Sequence, residues 1–553
     1  MMMTLTLIFM LTTCTTTRAY SILSKSHKFQ SALHRRTSIF QMSSSLSSSP
    51  PSPPPSPPPS SLERTTKFQV GNRIESTLEP CVVLMKDLIS KHSHLWEDKG
   101  GVFSLAQGVV YWQPPQSMYD AIRSAIDPSD PSVASASASA TASASASASS
   151  DHDQIHDHAP EISNDLHQYC PDEGLPSLIE AVKHKLQREN NLPYETTDVI
   201  ITNGANQAYM NCVLSLLSEN QNENQNENEN EREVCVVFKP YYFNHVMAIQ
   251  MVRGNDALLV GPIDEHGFPD VQWLRQTLTT KGQGSGSGSG SRNRIRIRMV
   301  TITNPGNPTG VSLPRNKLQE IVDICREFNC WLVMDNTYEH FDHSRVNSFP
   351  MEDSRDSQDI QDNEDCQDGK SADDCCFGYH CFQDAHVINI FSFSKGFAMA
   401  GFRVGYLAIN NNKDVYRQMI KVQDTIPICT SRLSQIAAQG ALSAGRNWVL
   451  HKVRTLESSR QAILDALRPL ETKTIGGSGA MYVMAKLPQG KNGDDMVVGE
   501  LFVEKFGIAI IPGSFCGFPG WIRVCYSNLP PRDCIIAAGR LEKGIKSLLS
   551  CEE

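Results

Sequence analysis

Three things are scarce in this chain: paired cysteine motifs, long apolar runs and surplus positive charge. The 16 cysteines are scattered and form no pair of Cys-x-x-Cys units. That argues against a disulfide framework or a zinc ribbon and for reduced, mostly buried thiols. Two clusters hold metal-ligating residue types: His152, His156 and His158 beside Asp153 and Asp157, and Cys366, Cys375, Cys376, His380 and Cys381. Both lie in or beside irregular inserts, with no ligand spacing set by a rigid element, so no metal is expected. The apolar run at 5–11 is far too short to span a bilayer, and no other candidate follows. A formal charge of −10 excludes a general nucleic-acid binder, which needs a basic face to displace counterions.

Acid is missing altogether ahead of Glu63. Small residues follow the short apolar run, with a cleavage site at Ala19-Tyr20, and then a Ser-rich stretch carries Lys25, Lys28, Arg35 and Arg36. This composition predicts a targeting segment over 1–66 for a plastid or another organelle, with the cytoplasm as the alternative. Within it, the Pro-rich tract 50–59 is a stiff spacer. Four segments lack the apolar side chains that offset ordering entropy: Ala-Ser 134–148, Asn-Glu 219–231, Gly-Ser 284–291 and acidic 352–374. They read as expanded surface loops.

What remains alternates strands and helices. Short apolar runs at 199–201, 234–238, 258–260, 299–302, 331–334 and 387–391 predict buried strands, and 207–217 and 318–328 predict helices. Such runs imply an α/β fold whose mostly parallel sheet is covered on both faces. Chemistry in these sheets gathers at the carboxyl ends of the strands.

The polar motifs fall there. Thr202-Asn203-Gly204-Ala205-Asn206-Gln207-Ala208 follows a strand and opens a helix, where small residues let backbone N–H groups approach an anion; a plain tight turn is an equal reading. Asn304-Pro305-Gly306-Asn307-Pro308-Thr309-Gly310 forms a rigid turn that aims an Asn amide inward. The strand at 331–334 delivers Asp335, costly if unpaired, with Tyr338 three residues on. Phe391-Ser392-Phe393-Ser394-Lys395-Gly396 places a lysine just after a buried strand, where desolvation favours a nucleophilic amine. Arg403 lies between glycines and suits phosphate; Arg523 sits on a strand near the C-terminus.

Taken in order, these motifs resemble the class I aminotransferases of the fold-type I pyridoxal-phosphate (PLP) enzymes, over roughly 68–549. The resemblance implies a large domain with a seven-stranded, mostly parallel sheet plus a smaller α+β domain. The divisions expected are 1–66, 67–159, 160–425 and 426–553, with inserts at 219–231, 282–292 and 352–376 in the large domain. It implies that Lys395 holds the cofactor and moves the proton. Asp335 would pair with the ring nitrogen, and Asn307 and Tyr338 with the phenolic oxygen. Gly204, Ala205, Asn206, Ser392, Ser394 and Arg403 would hold the phosphate. Tyr242, in Pro240-Tyr241-Tyr242-Phe243-Asn244-His245, falls at the ring-stacking position. Arg523 would grip the substrate carboxylate with help from Gly108, and Tyr169 would reach the phosphate of the other subunit in a homodimer.

Three stretches are similar to a plant-type aromatic/methionine subgroup: 104–115, 240–244 and 423–429. That similarity implies an amino donor with a hydrophobic side chain, met by the apolar loop 109–112 with Tyr111; packing at the domain junction is the other reading of this loop. The implied reaction is ping-pong transamination between an amino acid and a 2-oxo acid. A lyase of the same fold and a non-enzymatic regulator are the competing readings.

Overall fold

The computed structural model describes residues 71–127, 166–217, 230–282, 293–347, 379, 381–470, 474–489 and 493–550. The chain divides into Met1–Gln69 and Val70–Glu553, and every described residue belongs to the second unit. The expected targeting segment and the 134–148, 284–291 and 352–374 inserts lie outside the described residues, as do both metal-ligand clusters apart from Cys381, a buried free thiol. No described helix is long and apolar enough to cross a membrane.

Thirteen strands are described: β1 (Phe103–Ser104), β2 (Thr197–Thr202), β3 (Asn230–Phe238), β4 (Leu258–Gly261), β5 (Asn293–Thr303), β6 (Trp331–Asp335), β7 (Val387–Ser392), β8 (Gly405–Asn410), β9 (Thr474–Gly476), β10 (Tyr482–Lys486), β11 (Ile508–Ala509), β12 (Ile511–Pro512) and β13 (Trp521–Cys525). Seven make the main sheet, in the order β2-β8-β7-β6-β5-β3-β4. From β7 to β4 all neighbours run parallel, whereas β8 is antiparallel to both β2 and β7. Helices cover both faces, which is why the central strands are continuous apolar runs. On one face Tyr209, Val213 and Ile249 pack on Val333, Ile388 and Leu407. On the other, Leu274, Ile321 and Ile324 pack on Val236, Val300 and Leu332. The sheet matches the fold-type I architecture that the motifs implied.

Several boundaries differ from the sequence expectations. The Asn-Glu insert ends sooner, because Asn230 and Glu231 already pair with Asn293 and Arg294 of β5. Ladder hydrogen bonds use only the backbone, so polar side chains do not stop a strand that has a partner. Likewise Gly282 closes the helix Val271–Gly282 rather than opening the next insert. The helices expected at 207–217 and 318–328 start earlier, as Ala205–Leu216 and Arg315–Glu327. Strand β8 was not among the expected strands.

A second, antiparallel sheet runs β12-β13-β10-β9, and β1 pairs with β11 in parallel. The turn after β5 packs directly on it. Gly310 has φ +68°, and a Cβ there would lie 1.8 Å from the Tyr482 carbonyl oxygen, so only glycine permits this approach.

Candidate active site

The carboxyl ends of β5, β6 and β7 open on a cavity of about 380 Å³. Gly108, Ala205, Asn206, Tyr242, Asn307, Asp335, Tyr338, Ser392, Ser394, Lys395, Arg403 and Arg523 all line it. Three expected residues do not. Gly204 stands behind the wall, where its missing Cβ leaves room for Arg403: a Cβ would lie 2.5 Å from Nη2. Tyr111 turns away and donates to Thr455 Oγ1 at 2.6 Å. Its neighbour Trp112 is buried and donates from Nε1 to the Gly396 carbonyl at 3.3 Å. The aromatics of the 109–112 loop thus pack the core, and of these four residues only Val109 meets the cavity. Tyr169 is 77 % exposed.

Lys395 follows β7 and donates from Nζ to the Gly108 carbonyl. Part of its surface opens on the cavity, but protein surrounds the ammonium, and this burial lowers it from 10.5 to about 8. Asp335 ends β6 and is 4 % exposed. Burial pushes its carboxyl up, but two partners outweigh that and hold it below the ordinary carboxylate range. His245 Nε2 lies 3.1 Å from Oδ2, and Thr337 gives Oδ1 its hydroxyl at 2.6 Å and its amide at 3.1 Å. The site therefore presents a fixed anion on its inner wall.

At one end, the helix Ala205–Leu216 begins at Gly204 without a side-chain cap, and its N-terminal N–H groups favour an anion. Arg403, at φ +55°, is aimed there by donating to the carbonyls of Ala400 at 3.0 Å and Asn203 at 3.1 Å. At the other end, Arg523 is 3 % exposed; it donates to Asn307 Oδ1 at 3.0 Å and to the Ala106 carbonyl at 2.7 Å. Its Nε has no hydrogen-bond partner among the described residues, and neither of its two hydrogen bonds is to a carboxylate. A buried, uncompensated guanidinium calls for an anionic ligand.

Sequence reasoning missed His245 as a partner of Asp335, and it missed Thr337 and Tyr482. His245 stood inside a quoted motif, so a signal was present. Tyr482 had none, because its neighbours exist only after β10 pairs with β13.

A family model described as "Aminotransferase class I and II" matches residues 146–541. The chain is 34 % identical over 449 residues to the aromatic aminotransferase ISS1 of Arabidopsis thaliana, covering 81 % of this chain and 90 % of the relative. It is 25 % identical over 367 residues to the aspartate/prephenate aminotransferase of Thermus thermophilus, covering 65 % and 79 %. Among solved structures it is similar in fold to an aromatic aminotransferase from Pyrococcus horikoshii, with TM-score 0.58 and 22 % identity, covering 83 % and 99 %.

Proposed function

The chain belongs to the class I and II aminotransferase family and is a transaminase; from that premise we propose that it uses PLP, carried on Lys395, to move the amino group of an aromatic amino acid or methionine to a 2-oxo acid by a ping-pong mechanism. The observation that supports this most is the pair at the two ends of the cavity: an anion cradle at Ala205, Asn206 and Arg403, and the uncompensated Arg523. Between them stand an amine lowered to about 8 and a fixed carboxylate.

The residues present fit PLP. Arg403, Ser392, Ser394 and the N–H groups of Ala205 and Asn206 would hold its phosphate, and Asp335 its ring nitrogen. Asn307 and Tyr338 would donate to its phenolic oxygen, and Tyr242 would lie against the ring. When bound, PLP supplies the electron sink for the substrate carbanion. His245 and Thr337 keep Asp335 ionised, so it would hold a proton on the ring nitrogen. Arg523 orients the substrate carboxylate through a planar fork. Lys395, lowered to about 8, would take the Cα proton as a free amine, its neutral share growing as pH rises toward that value.

The lining of the cavity supports this donor class. Pro80, Val82, Val109, Ala205, Phe243 and Ala400 are apolar members of its lining, and Lys395, Arg403 and Arg523 are its only cations among the described residues. Each cation has another task, so none in this subunit's described lining is left for a side-chain carboxylate. The aromatic aminotransferase relative supports the same choice. We also assign the active unit to a homodimer, with Tyr169 reaching the partner's phosphate, and the N-terminal segment to organelle targeting.

The test is a panel of amino donors on the PLP-loaded enzyme. Phenylalanine, tyrosine, tryptophan or methionine should exceed aspartate in kcat/KM, and product should require an added 2-oxo acid. Aspartate as best donor would overturn the substrate reading; product without an acceptor would indicate a lyase. Lys395→Ala should lose the visible absorption of the loaded enzyme and at least ~10²–10⁴ in turnover.

A further inference from the structure

Beside the Tyr338 phenol stands a second one. Tyr482 opens β10, is fully buried apart from its place in the cavity wall, and its hydroxyl lies 2.8 Å from that of Tyr338. The Arg523 guanidinium sits over the Tyr482 ring, 4.5 Å from its centroid. Arg523 donates to Asn307 Oδ1 at 3.0 Å, and Asn307 Nδ2 points at the Tyr338 hydroxyl at 3.4 Å. The four side chains close a ring of contacts: Tyr338, Asn307, Arg523, Tyr482. Room for the second phenol exists because residue 108 is glycine: a Cβ there would lie 1.9 Å from the Tyr482 hydroxyl.

We propose that Tyr482 is a positioning residue of the transamination site, its hydroxyl holding the Tyr338 hydroxyl as a donor toward the cavity and its ring supporting Arg523. The proposal rests on the PLP reading above and deepens it. A phenol carries one proton and two acceptor lone pairs. Asn307 Nδ2 can only donate, so it occupies one lone pair of Tyr338. The Tyr482 hydroxyl, donating, occupies the other. The Tyr338 proton is then left for an acceptor in the cavity, the place assigned to the phenolic oxygen of PLP. Burial raises both phenols well above the ordinary tyrosine range, so both keep their protons near neutral pH. A hydrogen bond received by Tyr338 also polarises the one that it gives.

The consequence is spectroscopic. Deprotonating the PLP-loaded enzyme leaves the cofactor's phenolic oxygen as the anion that outside donors must stabilise. Stronger donation to it therefore lowers the pH midpoint of the visible absorption, and weaker donation raises it. Tyr482→Phe removes one oxygen and keeps the ring under Arg523. Its midpoint should rise by about half a pH unit or more, in the direction of Tyr338→Phe, and kcat should fall about tenfold while KM for the donor changes little. In the double variant Tyr338→Phe/Tyr482→Phe the midpoint should rise no further than in Tyr338→Phe alone, because Tyr482 acts through Tyr338. Difluorotyrosine placed at 482, a stronger donor of the same shape, should move the midpoint down; this arm serves also if the Phe variant folds poorly. An unmoved midpoint in Tyr482→Phe, additive shifts in the double variant, or an upward shift with difluorotyrosine would each overturn the proposal. Failure of the wild-type protein to develop any visible band with PLP would instead overturn the cofactor reading.

Discussion

At the scale of single residues, the site works by setting opposite charges against burial. Lys395 is pushed toward neutrality by desolvation, while Asp335 stays charged because His245 and Thr337 outweigh the same desolvation. In the proposed mechanism only the neutral Lys395 amine captures PLP. Uptake of PLP by the apoenzyme, followed by stopped-flow absorbance, should therefore climb about tenfold per pH unit below about 8 and level off above it. A pH-independent rate would mean that the Lys395 amine is not the titrating group. The lowered value also has a stability side. Between about 8 and 10.5 the unfolded chain binds more protons than the folded one, so this residue's contribution to stability rises with pH across that window. Below about 8 the burial costs its full amount, up to about 3 kcal/mol. The motifs already held Lys395, Asp335, Asn307 and Arg523. They could not reveal Tyr482 as a neighbour, since no local spacing brings β10 to the end of β6.

At the scale of elements, the turn bearing Tyr338 is held by a helix that never touches the cavity. Lys185, on Pro176–Asn190, lies 2.6 Å from both carboxylate oxygens of Glu339 and 2.7 Å from Asn190 Oδ1, with its ammonium over the Phe391 ring. Asn190 also donates to Glu339 at 2.8 Å and to the Tyr379 carbonyl at 2.9 Å, and the Tyr379 hydroxyl bonds Asn304. Lys185→Met would strand a buried carboxylate at about 3–5 kcal/mol, read as a lower urea midpoint with unchanged slope. Lys185→Met/Glu339→Leu should recover most of that loss, because the Glu339 carboxylate goes with its partner and Glu189 keeps His340 and Arg446. A single variant as stable as wild type would show that the pair is dispensable to the fold. Nearby, burial raises Glu189, but His340, Lys185 and Arg446 outweigh it and hold it at about 2. Its share of stability is complete above the ordinary glutamate value and is lost as pH falls through about 2.

At the scale of the whole molecule, the proposed dimer accounts for an exposed aromatic. Tyr169 precedes buried Cys170, whose amide donates to Cys429 Sγ at 3.3 Å, and the same 423–429 segment exposes Ile426 and Ile428. Closed two-fold pairing is the commonest arrangement that covers such a surface. Sedimentation should give a dimer at assay concentration. Mixing Lys395→Ala with Tyr169→Phe should restore activity, because one of the two mixed sites then has both residues intact. An active monomer, with no rescue after verified subunit exchange, would leave Tyr169 as a side chain of its own subunit alone.

The sequence by itself determined six of the seven strands of the buried sheet, because a strand covered on both faces must be a continuous apolar run, and it determined the residues at their carboxyl ends. The strand Gly405–Asn410 was missed in the sequence, and its antiparallel insertion between β2 and β7 depends on which chain segment returns to that gap. Tertiary structure alone decided three things: that β3 runs on into polar Asn230, that Trp112 and Tyr111 pack inward, and that Tyr482 meets Tyr338. Each is a pairing between segments distant in sequence. Backbone ladders and side-chain contacts of that kind are chosen by which surfaces are brought together, and local composition does not record it.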